Sequence, residues 1–228
     1  MELREAVKER HSVRVYKDCL LEKGIVEDLQ VFIEHCNQES GLKIKLITDD
    51  SDAFNKKIAK LKGFSGVRNY IVITGPESAK LEEKSGYYGE KIVLRIQQMG
   101  MCSCWTRNIC KIIPGEYAGK KKIKPVAVIT FGYGETFGIS HISKNPEDVY
   151  DPELSKNIEY IHTPEWFQKG VELALLAPTL KNRQKFVFSI YGDHVRVRSG
   201  YSSCDRIALG IIKYHFEIGA SPKDFMWV

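Results

Sequence analysis

Apolar residues in this chain never run on for long. They come in short β-branched bursts set between stretches of helical period. A membrane helix needs about 18–20 continuous apolar residues, and bursts such as Val126–Ile129 have the length of buried strands instead. Leu21, Ile25, Leu29 and Phe32 recur at helical spacing up to Cys36, and Tyr88, Ile92, Ile96 and Met99 do the same before Gly100. Thr163-Pro164-Glu165 reads as a helix start, with Thr as N-cap and Pro at the first helical position. That helix runs through Val171 and Leu175 and must stop at Pro178. Ser202 with Asp205 resembles a capping box, with Asp in place of Glu, and opens a last helix through Ile207, Ile211 and Ile218. Strands are predicted at Lys43–Ile47, Tyr70–Thr74, Pro125–Phe131, Phe186–Ile190 and His194–Arg198. The mixture predicts an α+β or α/β protein, with helices covering a sheet.

A length of 228 residues fits one large domain or two small ones. A chain of this size buries about 70–75% of its unfolded surface, so its core needs no covalent staples. Cys19, Cys36, Cys102, Cys104, Cys110 and Cys204 are therefore read as reduced thiols of a cytoplasmic protein. The opening Met1-Glu2-Leu3-Arg4-Glu5 lacks the apolar core of a secretory signal. The net charge of +5 suits an anionic ligand and is too small to argue for nucleic acid. Other chemistries find little support. Gly132-Tyr133-Gly134-Glu135-Thr136-Phe137-Gly138 is one residue too long for a dinucleotide fingerprint, and no helix follows it before Asn145-Pro146. Cys102, Cys104 and Cys110 lack zinc spacing, so no metal is expected. Lys120-Lys121-Lys122 with Lys124 reads as a solvated loop or a docking site for an acidic partner. The six histidines are dispersed and suggest no hydrolase.

The two parts of the chain share an outline. The first has a helix, the polar turn Asn37–Gly41, two strands and a helix opened by Gly86-Tyr87. The second has a helix, the polar turn Thr179–Lys185, two strands and a helix after Gly200-Tyr201. A diverged internal repeat, with halves of about 1–150 and 151–228, accounts for this. Helical amphipathicity alone accounts for it equally well.

Two segments could carry chemistry. In Arg10-His11-Ser12-Val13-Arg14-Val15-Tyr16 an extended backbone would put Arg10, Ser12 and Arg14 on one side and bury Val13 and Val15 on the other. Guanidinium groups and a hydroxyl at one spot suit a phosphate dianion. A solvated basic helix end is the other reading. In Ala177-Pro178-Thr179-Leu180-Lys181-Asn182-Arg183-Gln184 the amides of Asn182 and Gln184 are two apart. They can pair with a ligand edge that mixes donors and acceptors, or serve an ordinary polar loop.

Together these segments resemble the FMN-dependent nitroreductase family. Its Arg-Arg-Ser-x-Arg-x-aromatic run stands here as "ERHSVRVY", and its Ala-Pro-Ser-x-x-Asn-x-Gln signature as "APTLKNRQ". "GYYGEKIVLRIQQMGMCSCW" is similar to the family's central helix and the loop that approaches the flavin, and "KPVAVITFGYGE" to its following strand and glycine turn. The resemblance implies a nitroreductase-like α+β fold: a mixed, mainly antiparallel sheet covered by helices, one domain over 1–228 with two pseudo-symmetric halves. It implies FMN as cofactor, with phosphate contacts from Arg10, Ser12 and Arg14, and His11 where the family commonly has a second Arg. Pro178, Thr179, Asn182 and Gln184 would line the ribityl chain and ring. Cys104, Trp105 and Thr106 would lie near the ring's reactive face, with a backbone N–H of Cys104–Arg107 toward the ring nitrogen N5. Lys144 is the candidate for a late basic contact to the phosphate.

The family commonly places its second signature one helix after the first. Here that place holds "HCNQESG", and the intact signature comes after the second-half helix. This order favours a branch of nitroreductases in which one duplicated chain stands in for the usual homodimer, as a monomer with one FMN. The implied activity is electron transfer from NAD(P)H to a nitroaromatic, quinone or similar planar acceptor, without nucleic acid, membrane or metal. The competing expectation is a non-catalytic flavin-binding or redox-sensing protein, its ring face capped by bulk around Trp105 and Tyr133. A weaker one is an anion or nucleic-acid binder using the basic excess.

Overall fold

The computed structural model describes residues 1–54, 60, 63–106, 123–151 and 163–228. Cys110, Arg107 and Lys120–Lys122, on which expectations were placed, lie outside the described residues. In chain order the elements are α1 (Leu3–Glu9), α2 (Lys23–Ser40), β1 (Lys43–Ile47), β2 (Asn69–Pro76), α3 (Leu81–Gln98), β3 (Cys102–Thr106), β4 (Ile123–Gly132), α4 (Glu165–Ala174), β5 (Phe186–Tyr191), β6 (His194–Ser199), α5 (Ser203–Ala220) and β7 (Met226–Trp227). A four-stranded sheet has the order β1-β2-β4-β3, with every neighbour antiparallel. A three-stranded sheet has the order β5-β6-β7, in which β5 and β6 form a hairpin and β7 runs parallel to β6. The fold is thus α+β with mainly antiparallel sheets. No described helix is long and apolar enough to cross a membrane.

Burial sorts the strands as their sequences require. β2 is buried from Asn69 through Gly75 and sits between β1 and β4. Its run Tyr70-Ile71-Val72-Ile73 suits a strand covered on both faces. One contiguous apolar cluster joins Ile71, Ile73 and Ile129 of the larger sheet to Phe188 of the smaller one, through Ile92 of α3 and Ile211 and Phe216 of α5. Phe167, Phe188 and Phe216 meet there with ring centroids 5.0–6.2 Å apart.

The helix pair α3–α5 crosses at very short range. A Cβ on Gly86 would lie 1.9 Å from the Ile207 carbonyl oxygen, and one on Gly210 would lie 1.9 Å from that of Glu83. These positions hold glycine because backbone meets backbone there. This explains one departure from the sequence reading. Gly86-Tyr87 does not open the helix but lies inside it, since α3 begins at Leu81. Likewise Asn37–Ser40 belongs to α2, which ends on Gly41 in a left-handed conformation at φ 71°. Pro164, not Thr163, is the N-cap of α4. The capping box of α5 is present as expected: Ser202 Oγ accepts from the Asp205 N–H at 3.2 Å, and Asp205 Oδ2 accepts from the Ser202 N–H at 3.1 Å. Strands β3 and β7 were not foreseen. Cys102–Thr106, expected as a loop, is the edge strand paired to β4.

Candidate functional site

The arm after α1 is built by borrowing a strand edge. Helix α1 stops at Arg10, whose backbone is extended at φ −72° and ψ 116°. Ser12 then forms a parallel bridge with Ser103 on the free edge of β3, and the Val13 N–H donates to the Ser103 carbonyl at 3.0 Å. Tyr16 pins the arm to β4: its hydroxyl donates to the Val13 carbonyl at 2.6 Å and lies 2.9 Å from Thr130 Oγ1. Val13 is buried as expected, but Val15 is 44% exposed. The arm turns after Arg14, whose carbonyl accepts from the Ser65 N–H, and this gives the second buried place to Tyr16 instead.

Ser12 and Arg14 open onto two adjoining cavities. The first, about 160 Å³, is walled by Cys104, Trp105 and Thr106 of β3, Pro178 and Thr179, and Cys204, Ile207, Ala208 and Ile211 of α5. The second, about 280 Å³, is walled by Arg10, His11, Ser12 and Arg14 of the arm, Ile139 and His141, and Pro178, Thr179, Lys181 and Asn182. Ser12, Arg14, Pro178, Thr179 and Lys181 line both, so these are two lobes of one depression. One lobe has an apolar back wall and the other a cationic one. Residues 10–14 and 178–182, far apart in sequence, meet here.

The loop after α4 reaches this place through unusual backbone. Lys181, Asn182 and Gln184 have φ of 54°, 53° and 44°. Non-glycine residues in this region cost about 1 kcal/mol or more each and persist only where their surroundings hold them. The hold is visible. Asn182 Nδ2 donates to the Ile142 carbonyl at 2.7 Å, Gln184 Nε2 donates to the same carbonyl and to Asn182 Oδ1 at 2.8 Å each, and Gln184 Oε1 accepts from the Lys144 N–H at 2.9 Å. Gln184 is 2% exposed and lies off the cavity wall. The paired amides fasten the loop to residues 142–144; Asn182 still lines the cationic lobe, whereas Gln184 does not reach the cavity wall. Lys144 also departs from expectation. It lines a separate cavity with Lys185 and Arg198, not the one that holds Arg10 and Arg14. Lys181, which sequence reasoning passed over, is the lysine on both lobes. The apolar wall from α5 was also missed, although its spacing of Ile207 and Ile211 was recognised as helical.

The electrostatics follow from burial. Arg10 is 4% exposed, and burial pushes its guanidinium below the ordinary range, opposed by the Glu90 carboxylate 3.8 Å from Nε. Burial also pushes His11 down, reinforced by Arg10 and His141. Cys104 is pushed up by burial, against the charges of Arg14 and Arg10 and hydrogen bonds with Arg14 and Ser12. The Arg14 guanidinium carbon lies 6.0 Å from the centroid of the Phe64 ring. The cationic lobe is thus a place for an anion, while the Cys104 thiol, on the wall of the apolar lobe, is held toward its protonated form. Among the described residues no cluster of three or more His, Cys, Asp or Glu could hold a metal ion.

The architecture is that of nitroreductases. A structure described as a putative nitroreductase from Thermotoga maritima superposes with a TM-score of 0.67 at 21% identity, covering 95% of this chain and 82% of that one. A putative NADH dehydrogenase/NAD(P)H nitroreductase from Parabacteroides distasonis gives 0.53 at 21% identity, over 66% of this chain and 97% of that one. A putative nitroreductase from Desulfovibrio desulfuricans, solved in complex with FMN, gives 0.52 at 14% identity, over 64% and 94%. At such identities the likeness is one of fold. The chain belongs to the family described as "Putative TM nitroreductase", whose model matches residues 2–220. No curated protein matches it.

Proposed function

We propose that this chain is an FMN-dependent oxidoreductase that passes electrons from NADH or NADPH to a nitroaromatic, a quinone or a similar planar acceptor. The observation that carries this reading is the two-lobed depression, cationic at one end and apolar at the other, between residues 10–14 and 178–182. FMN has the matching shape, an anionic tail on a flat ring system. The fit is supported by the donors gathered on the wall of the tail-side lobe, where Arg10, Arg14 and Lys181 come together with the Ser12 hydroxyl. The FMN complex of the Desulfovibrio relative and the nicotinamide in the name of the Parabacteroides relative support it further.

Arg14 and Ser12 would hold the phosphate, with Arg10 and Lys181 adding positive charge. Pro178 and the α5 side chains Ile207, Ala208 and Ile211 would hold the ring and keep water from it. Bound FMN supplies hydride chemistry at its ring, so the protein needs no acid–base dyad of its own. The chain's task is to bind, orient and desolvate, with Cys104, Trp105 and Thr106 as the wall beside the ring.

The halves support a second part of the proposal. Helix–strand–strand–helix recurs as α2-β1-β2-α3 and α4-β5-β6-α5. We read these as diverged copies within one domain, so that one chain does the work of a homodimer and takes one FMN as a monomer in the cytoplasm. Anaerobic titration with NADH and with NADPH, followed by a panel of acceptors, tests the activity. Bleaching of a yellow protein and recolouring by a planar acceptor is expected. A chain that takes up no FMN overturns the reading. The Trp105 side chain stands on the ring-side wall, and bulk there favours one second reading, a flavin-binding protein with a covered ring, which would be yellow and fail to bleach.

A further inference from the structure

Glu90 lies where α3, α5, β3 and the arm meet, and its side chain is fully buried. Oε2 accepts the Trp105 indole N–H at 2.8 Å. Oε1 faces His215 Nε2 at 2.9 Å and stands 3.8 Å from Arg10 Nε. His215 Nδ1 faces the Leu173 carbonyl at 3.1 Å, so both of its ring nitrogens point at acceptors. Burial would push Glu90 up, but His215, Arg10 and Trp105 outweigh it and hold the carboxyl below its usual range. The Tyr214 hydroxyl feels the same charge. A carboxylate this deep is costly unless its partners are fixed around it.

Its partners stand at opposite ends of the depression. Trp105 lines the ring-side lobe and Arg10 the tail-side lobe. The indole has little freedom otherwise, since a Cβ at Gly89 would lie 2.3 Å from Trp105 Cη2. Its ring therefore rests on the α3 backbone while its N–H is held by the next residue, Glu90. The Nε edge of Arg10 faces the same carboxylate. We propose that Glu90 is a positioning residue that fixes both ends of the cavity, the Arg10 guanidinium at the tail and the Trp105 indole at the ring. This rests on the flavin reading above.

The test compares FMN with riboflavin, which lacks the phosphate, by fluorescence titration of wild type, Glu90→Gln, Glu90→Asp and Trp105→Phe. A structural defect alone weakens both ligands equally. In Glu90→Gln the ratio of FMN to riboflavin affinity is expected to fall about tenfold, the low end for a hydrogen bond to a charged group. Riboflavin binding falls less, because the glutamine amide oxygen can still accept the Trp105 indole N–H. Trp105→Phe is expected to weaken both ligands and leave the ratio unchanged. If Glu90→Gln does not fold, as judged by circular dichroism, Glu90→Asp carries the same comparison, because the shorter side chain cannot reach both partners. A ratio within twofold of wild type in the folded variant overturns the proposal, and so does failure of both variants to fold, which leaves Glu90 a role in stability alone. A wild type that binds neither flavin removes the flavin reading and this proposal with it. Normal FMN binding by wild type with an unchanged ratio removes only the positioning role.

Discussion

Arg14 is the arginine that both lobes share, and it is exposed to solvent. Arg14→Ala is expected to weaken FMN binding by about 1.5–3 kcal/mol, the worth of hydrogen bonds to a charged group. Flavin retained unchanged after dialysis would remove Arg14 from the site. His11 gives a pH-dependent counterpart. Its folded pKa is held below the unfolded one, mainly by burial, so the unfolded chain binds its proton first as acid is added. The stability His11 contributes is therefore present above the ordinary histidine pKa of about 6.5 and is lost as pH falls through the lowered folded value. Thermal melts from pH 7.5 down to pH 5 should show a shallower loss in His11→Gln than in wild type; parallel curves would contradict this. At this scale the sequence was informative where spacing decides geometry. Arg10, Ser12 and Arg14, two apart, do come to one place because the arm is extended along β3. It was silent where tertiary contacts decide. Nothing local says that Gln184 turns inward to the chain, that Lys144 faces another cavity, or that Arg10 is buried beside a carboxylate 80 positions on.

The elements that carry the site are set by one helix crossing. Ala at Gly86 or Gly210 would drive a methyl into a backbone carbonyl, which cannot rotate away. Each substitution should lower stability by about 1–3 kcal/mol, as overpacking does, seen as a lower urea midpoint at unchanged slope. Because α5 walls the ring-side lobe, the same variants should bind flavin more weakly. Ser202→Ala should cost about 0.5–2 kcal/mol by removing the N-cap of α5; an unchanged midpoint would mean that packing alone sets this helix end. The element types were legible because periodicity of 3.6 or 2 survives in amphipathic helices and β-branched strands. β3 was not, because Cys102-Ser103-Cys104-Trp105-Thr106 follows Gly100 and reads as loop; it becomes a strand only by pairing with β4 on one side and the arm on the other. The start of α3 was missed for a related reason, since a glycine that serves close packing looks locally like a boundary.

At the scale of the whole molecule, two segments that share no local contact in the sequence close on a single depression. That convergence was legible only through the resemblance of both segments to one family, because contact between distant positions leaves no trace in periodicity. The proposed doubling of helix–strand–strand–helix makes a stoichiometric prediction. Protein and flavin quantitation should give one FMN per chain, and sedimentation should give a monomer; two flavins per chain would contradict the unequal halves. The most direct measurement is a crystal structure of the chain grown with FMN. Density for one flavin, its phosphate within hydrogen-bond distance of Ser12 and Arg14 and its ring against Trp105 and Ile207, is the expected result. A flavin bound elsewhere, or a cavity between residues 10–14 and 178–182 left without one at saturating FMN, would contradict it.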